Sequence, residues 1–174
     1  MWIALFSQTG SEINNISEQL EKTPDIIITN RKNLEGVNKD FLSKFKNKLV
    51  FIPNRPSVKD YLKVIPEGNH IITLHGYLRI IPSELCDRFL IYNLHPGLIT
   101  EYPELKGFNP QEKAYNLQLP YSGAVIHKVI GEVDSGQILS SVKVSIKDLS
   151  LEEVYSTLHK ASTELWVNFL KPLI

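Results

Sequence analysis

The chain has 174 residues, a length that suits one domain around a single core. A hydrophobic fraction of 43% with a formal net charge of zero excludes the disordered class, which needs low hydrophobicity and high charge. The balance of 19 basic and 19 acidic residues removes any bulk electrostatic case for nucleic-acid or membrane binding.

No apolar stretch approaches membrane length, and Met1 to Phe6 is too short for a signal peptide. The single cysteine, Cys86, allows no internal disulfide and points to a reducing cytoplasm. Its apolar-periodic surroundings, Pro82 to Leu90, read as those of a buried structural thiol.

In chain order, Trp2 to Ser7 reads as a fully buried strand. Ser11 reads as the N-cap of a helix carrying Ile13, Ile16 and Leu20 on one face. Asp25 to Thr29 is a second strand. Phe41 and Phe45 mark a short helix before a third strand, Leu49 to Ile52, which Pro53 and Pro56 end. Val58, Leu62 and Ile65 give a helical stripe, and His70 to Leu74 is strand four. Pro82 to Phe89 reads as a helix with proline in its first turn, followed by strand five, Ile91 to Leu94. A loop from His95 to Leu105 and a short helix, Pro110 to Leu117, precede two longer β-patterned runs, Ser122 to Ile130 and Gln137 to Ile146, joined by Gly131 to Gly136. Ser150 and Glu153 form a capping box opening the last helix. This alternation predicts one α/β domain over residues 1–174, doubly wound, with a mainly parallel sheet and an antiparallel final strand pair. Ligands of such sheets bind at the carboxyl ends of the strands, so the loops after strands one, four and five are the candidate site.

Three segments there carry chemistry. Asn93-Leu94-His95 ends strand five, and positions two apart on extended backbone face one side, so amide and imidazole point into one crevice. An amide donor stabilises an oxyanion and an imidazole moves or stabilises a proton near neutral pH, which is the pair that acyl transfer needs. A structural Asn and His ending a strand is the plainer alternative. Asp134 lies in a glycine-flanked connection, where it reads either as a turn aspartate or as a carboxylate orienting His95. Gly76-Tyr-Leu-Arg-Ile-Ile81 is an apolar loop with one arginine.

Together these segments resemble the folate-dependent formyltransferase family, most closely its ribonucleotide transformylase end. NLHPG at Asn93 to Gly97 is similar to the family's Asn-x-His-Pro-Ser stretch. His127 stands seven residues before Asp134, within GAVIHKVIGEVDSGQIL, and GYLRII is similar to the family's Gly-x-x-Arg-Ile loop. The resemblance implies transfer of a formyl group from 10-formyltetrahydrofolate, as co-substrate and without a metal, to an amine of a small substrate. Asn93, His95 and Asp134 would be the catalytic trio, with His127 supporting the aspartate loop. Leu78, Arg79, Ile80 and Ile81 with Ile130, Gly131, Glu132 and Val133 would hold the folate. Gly10, Ser11, Glu12 and Gly97 would face the amine substrate. The implied acceptor is glycinamide ribonucleotide, in purine biosynthesis, or another amine such as an amino-sugar nucleotide or modified nucleotide. The implied protein is cytoplasmic, a monomer or homodimer, with no nucleic-acid or membrane partner. A formylfolate hydrolase is a competing enzyme, and a non-catalytic folate-binding or scaffold module is the competing class.

The departures fall on the amine side. Glu12 stands where the transformylase has asparagine, and a carboxylate there either repels a phosphate or points away along the helix dipole. Gly97 replaces the motif serine, and Ser162 and Thr163 replace a Glu-His pair.

Overall fold

Five consecutive apolar residues, Trp2–Phe6, form strand β1, and all five are buried. A strand covered on both faces has no solvent side, so its sequence is a continuous apolar run instead of an alternation. In the computed structural model, which describes all residues from Met1 to Ile174, this strand sits near the middle of a seven-stranded sheet. The chain runs through β1, α1 (Ser11–Leu20), β2 (Ile26–Thr29), α2 (Lys39–Phe45), β3 (Leu49–Phe51), α3 (Val58–Leu62), β4 (Ile71–His75), α4 (Ser83–Arg88) and β5 (Leu90–His95). It continues through α5 (Pro110–Asn116), β6 (Tyr121–Lys128), β7 (Ile138–Ser145) and α6 (Leu151–Leu170).

The strand order is β3-β2-β1-β4-β5-β6-β7. The first five strands are parallel, whereas β6 runs antiparallel to β5 and β7 antiparallel to β6. The expected doubly wound α/β sheet with an antiparallel final pair is therefore present.

Side chains of β1 alternate between two cores. Ile3 and Leu5 join Tyr61, Ile65, Leu85 and Phe89 on the α3–α4 face. Trp2, Ala4 and Phe6 face the other way, toward Ile13, Phe41, Leu165 and Trp166 from α1, α2 and α6. Cys86 is buried in the first of these cores, and burial pushes its thiol up.

Two helix starts differ from the expectation. Gly10, not Ser11, caps α1, with φ of 75°. A Cβ at that position would lie 2.8 Å from the Phe41 ring, so only glycine fits. The Ser11 hydroxyl bonds to that of Thr9 at 2.8 Å instead. Pro82 caps α4 from outside rather than entering its first turn. The capping box of α6 forms as expected: Glu153 N–H donates to Ser150 Oγ at 3.2 Å, and Ser150 N–H donates to Glu153 Oε2 at 2.7 Å.

Trp166, fully buried, fastens α6 to the sheet through Trp2, Ala124 and Ile126. Trp166→Ala is expected to cost about 3–5 kcal/mol of stability. Urea denaturation checks this, and a loss below about 1 kcal/mol would show that α6 is not anchored by this residue.

Candidate active site

The sheet is built outward from β1 in both directions, so the loops after β1 and β4 diverge and leave a crevice at their carboxyl ends. The Ser7 N–H donates to Gly76 O at 3.2 Å. The Ser7 hydroxyl accepts from Leu78 N–H at 2.9 Å and donates to Asn30 Oδ1 at 2.6 Å. These bonds stitch together the floor of the crevice.

Asn93 and His95 end β5 beside it. The antiparallel register sets His127 of β6 opposite Asn93. The chain then turns back toward β5. Gly136 permits that return, since a Cβ there would fall 1.6 Å from Lys128 O. Asp134, with φ of 51°, is brought between two imidazoles. His95 Nδ1 lies 3.3 Å from Asp134 Oδ2, and His127 Nε2 lies 3.4 Å from Asp134 Oδ1. Asn93 Nδ2 is 3.4 Å from the same His127 nitrogen. Both histidines are buried.

The second nitrogen of each ring is also engaged. His95 Nε2 donates to Leu105 O at 2.7 Å, and His127 Nδ1 donates to Lys128 O at 3.2 Å. Acceptor atoms thus lie beside both nitrogens of His95, Asp134 Oδ2 at one and Leu105 O at the other. Burial by itself pushes the Asp134 carboxyl up. The His127 contact, the charges of the two histidines and the Gly107 backbone amide outweigh this and hold it below the usual carboxylate range. The loop from Pro96 to Asn109 therefore touches both members of the pair, through Leu105 and Gly107.

In the loop after β4 and around the β6–β7 turn, Leu78, Ile80, Ile130 and Val133 present exposed apolar side chains. Gly131 and Glu132 are exposed at the turn between β6 and β7. Ile81 turns into the core instead. The Arg79 guanidinium is spent on its own loop, donating to Asn54 O at 2.7 Å, Asn54 Oδ1 at 2.6 Å and Leu78 O at 2.6 Å. It holds the loop in place more than it presents a free charge.

A cavity of about 660 Å³ opens on the α1–α6 face. Gly10, Ser11 and Glu12 line it, together with His75, Tyr155, His159, Lys160 and Ser162. Gly97 does not: a Cβ there would lie 2.9 Å from Pro110 and 3.1 Å from His95 Nε2, so its smallness lets the loop close over His95. Thr163 is buried and donates to His159 O at 3.1 Å. Sequence reasoning missed His75, which ends β4 just where ligands gather. It also missed Tyr155 and His159, four apart and on one polar helix face with Ser162. Glu12 meets His75 directly, Oε2 to Nδ1 at 2.7 Å, and His75 Nε2 lies 2.7 Å from Thr73 Oγ1.

The fold and this grouping describe a doubly wound α/β protein with a strand-end site in which amide, imidazole and carboxylate stand together. The formyl transferase family matches residues 1–170, and the chain belongs to that family. It is 32% identical over 125 residues to a phosphoribosylglycinamide formyltransferase of Dictyostelium discoideum, covering 64% of this chain and 59% of that protein. It is 25% identical over 155 residues to the human trifunctional purine biosynthetic protein adenosine-3, covering 82% of this chain and 15% of that protein. The chain thus spans little more than half of the first relative and a small part of the second. Among solved structures, phosphoribosylglycinamide formyltransferase from Anaplasma phagocytophilum superposes with a TM-score of 0.82 at 21% identity, over 98% of this chain and 84% of that one. The Streptococcus pneumoniae enzyme of that name gives 0.77 at 20% identity, over 98% and 97%. At such identities these structures show the shared fold.

A depressed Asp134 contributes stability that is fully present above the carboxyl's unfolded value, about 4, and is lost as pH falls through its folded value. The stability gap between wild type and Asp134→Asn is therefore expected to be constant from about pH 5 to 7 and to shrink below about pH 4. Denaturation midpoints across that range check this. A gap that widens toward low pH would contradict the assigned direction.

Proposed function

We propose that this chain, as a single formyltransferase domain over residues 1–174, transfers a formyl group from 10-formyltetrahydrofolate to the amine of a small acceptor. The observation that carries this reading is Asp134 bracketed by His95 and His127 with Asn93 alongside. The acceptor is glycinamide ribonucleotide, the compound in the relatives' names, which would place the reaction in purine biosynthesis in the cytoplasm.

The co-substrate fits the residues present. The exposed apolar side chains of Leu78, Ile80, Ile130 and Val133 would cover a flat heterocycle, and the backbone of the two loops would supply its hydrogen bonds. When bound, it supplies an activated formyl carbonyl.

The chain's own groups do the rest. The Asn93 amide donates to the formyl oxygen as negative charge develops there. His95, as imidazolium, adds positive charge at the same place and passes a proton on to the departing nitrogen. Asp134, ionised across neutral pH, fixes the His95 ring and accepts the proton that the attacking amine gives up. His127 holds the carboxylate from its far side. Leu105 and Gly107 close the pair off from water, which favours transfer over hydrolysis.

The test is release of tetrahydrofolate from 10-formyltetrahydrofolate, with and without glycinamide ribonucleotide. Turnover is expected to depend on the amine. Asn93→Ala is expected to lower kcat about 100- to 1000-fold, the usual cost of an oxyanion donor. Folate binding with no turnover would favour a non-catalytic module, and absence of folate binding would sink the reading.

A further inference from the structure

The wall of the α1–α6 cavity holds an electrostatic contradiction. Glu12 is the second residue of α1, where backbone N–H groups and the helix dipole favour an anion. Lys160 and His159 face the same cavity from α6. The buried Ser162 hydroxyl lines it too and has no hydrogen-bond partner. Helix start, Lys160 ammonium and free hydroxyl suit an anionic group, yet a carboxylate stands among them.

His75 resolves the conflict. Its side chain is fully buried at the end of β4, 2.7 Å from one Glu12 oxygen. Trp166 lies against it with ring centroids 5.0 Å apart. Its other nitrogen faces Thr73 Oγ1, which already accepts the Trp2 indole N–H at 2.8 Å. Glu12 is thus the one charged group hydrogen-bonded to His75, beside the neutral Thr73 hydroxyl and Trp166 ring.

We infer that His75 and Glu12 act as one neutral pair, so that His75 is the positioning residue that lets this cavity take a phosphate-bearing acceptor. The inference rests on the formyl-transfer reading and adds to it. The imidazolium draws the Glu12 oxygen down into the protein and cancels its charge. The cavity is then left with the Lys160 ammonium, the N–H groups of α1 and the Ser162 hydroxyl. Without His75, Glu12 is an unpaired anion beside the phosphate, and like charges at close range oppose binding.

The test compares glycinamide ribonucleotide with the same compound lacking its phosphate, by calorimetric Kd and by KM. Wild type is expected to prefer the nucleotide by about tenfold or more. His75→Gln is expected to abolish most of that preference, because glutamine bonds to Glu12 without neutralising it. Glu12→Gln added to His75→Gln is expected to restore it. The ratio of the two ligands does not depend on the fraction of folded protein, and a merely structural His75 would not be rescued by a change at Glu12. Equal preference in wild type and His75→Gln, no rescue in the double variant, or no nucleotide preference in wild type would each overturn the inference. Binding of 10-formyltetrahydrofolate is measured on every variant. If wild type does not bind it, the transferase reading fails; if it binds and the ratio stays unchanged, only the pairing of His75 with Glu12 fails.

Discussion

Strands β1, β4 and β5 are covered by helices on both faces, and that burial governs where polar chemistry can appear. A polar side chain in the middle of such a strand would lose its water without gaining a partner, at a cost of about 1–3 kcal/mol. Thr73 and His75 are buried on β4, and both are hydrogen-bonded. His75 stands at the end of that strand, and the remaining polar groups likewise collect where strands end: Ser7 after β1, Asn93 and His95 at the end of β5. Strand order opens the crevice, and the cover over the sheet confines the polar groups to it.

The change of direction at β6 completes the site. A sixth parallel strand would have sent the chain back through another helix, away from β5. The antiparallel β6 instead sets His127 across from Asn93, and the short connection to β7 brings Asp134 back over them. Two imidazoles then surround one carboxylate, which overcomes the penalty that burial alone would impose on it. The carboxylate stays charged because the His127 contact, the two histidines' charges and the Gly107 amide offset its burial, and each ring keeps its orientation through a backbone carbonyl on its other nitrogen.

The two sides of this centre are built differently. Exposed apolar side chains surround the β6–β7 turn and the loop after β4, where Arg79 is consumed in holding Asn54. The α1–α6 side is a polar cavity that carries its own carboxylate, countered from beneath by a histidine. An apolar surface and a polar cavity thus meet across the ends of β4 and β5.

Much of this was legible in the amino-acid sequence. The apolar run Trp2–Phe6, the capping box at Ser150 and the Asn93–His95 spacing follow from local rules of periodicity and geometry, and those rules need only neighbouring residues. The grouping of Asn93, His95, His127 and Asp134 was readable through motif order. The structure decided what depends on residues far apart in the chain. Gly10 takes the cap from Ser11 because Phe41, more than thirty residues on, leaves no room for a Cβ. Gly97 packs on His95 instead of lining the cavity because Pro110 closes over it. Whether Glu12 faced a ligand or turned away stayed open in the sequence, since its partner His75 lies 63 positions later and reaches it only through the parallel pairing of β1 with β4. Local pattern determines which elements form, but the charge a side chain feels is set by whatever the sheet brings beside it.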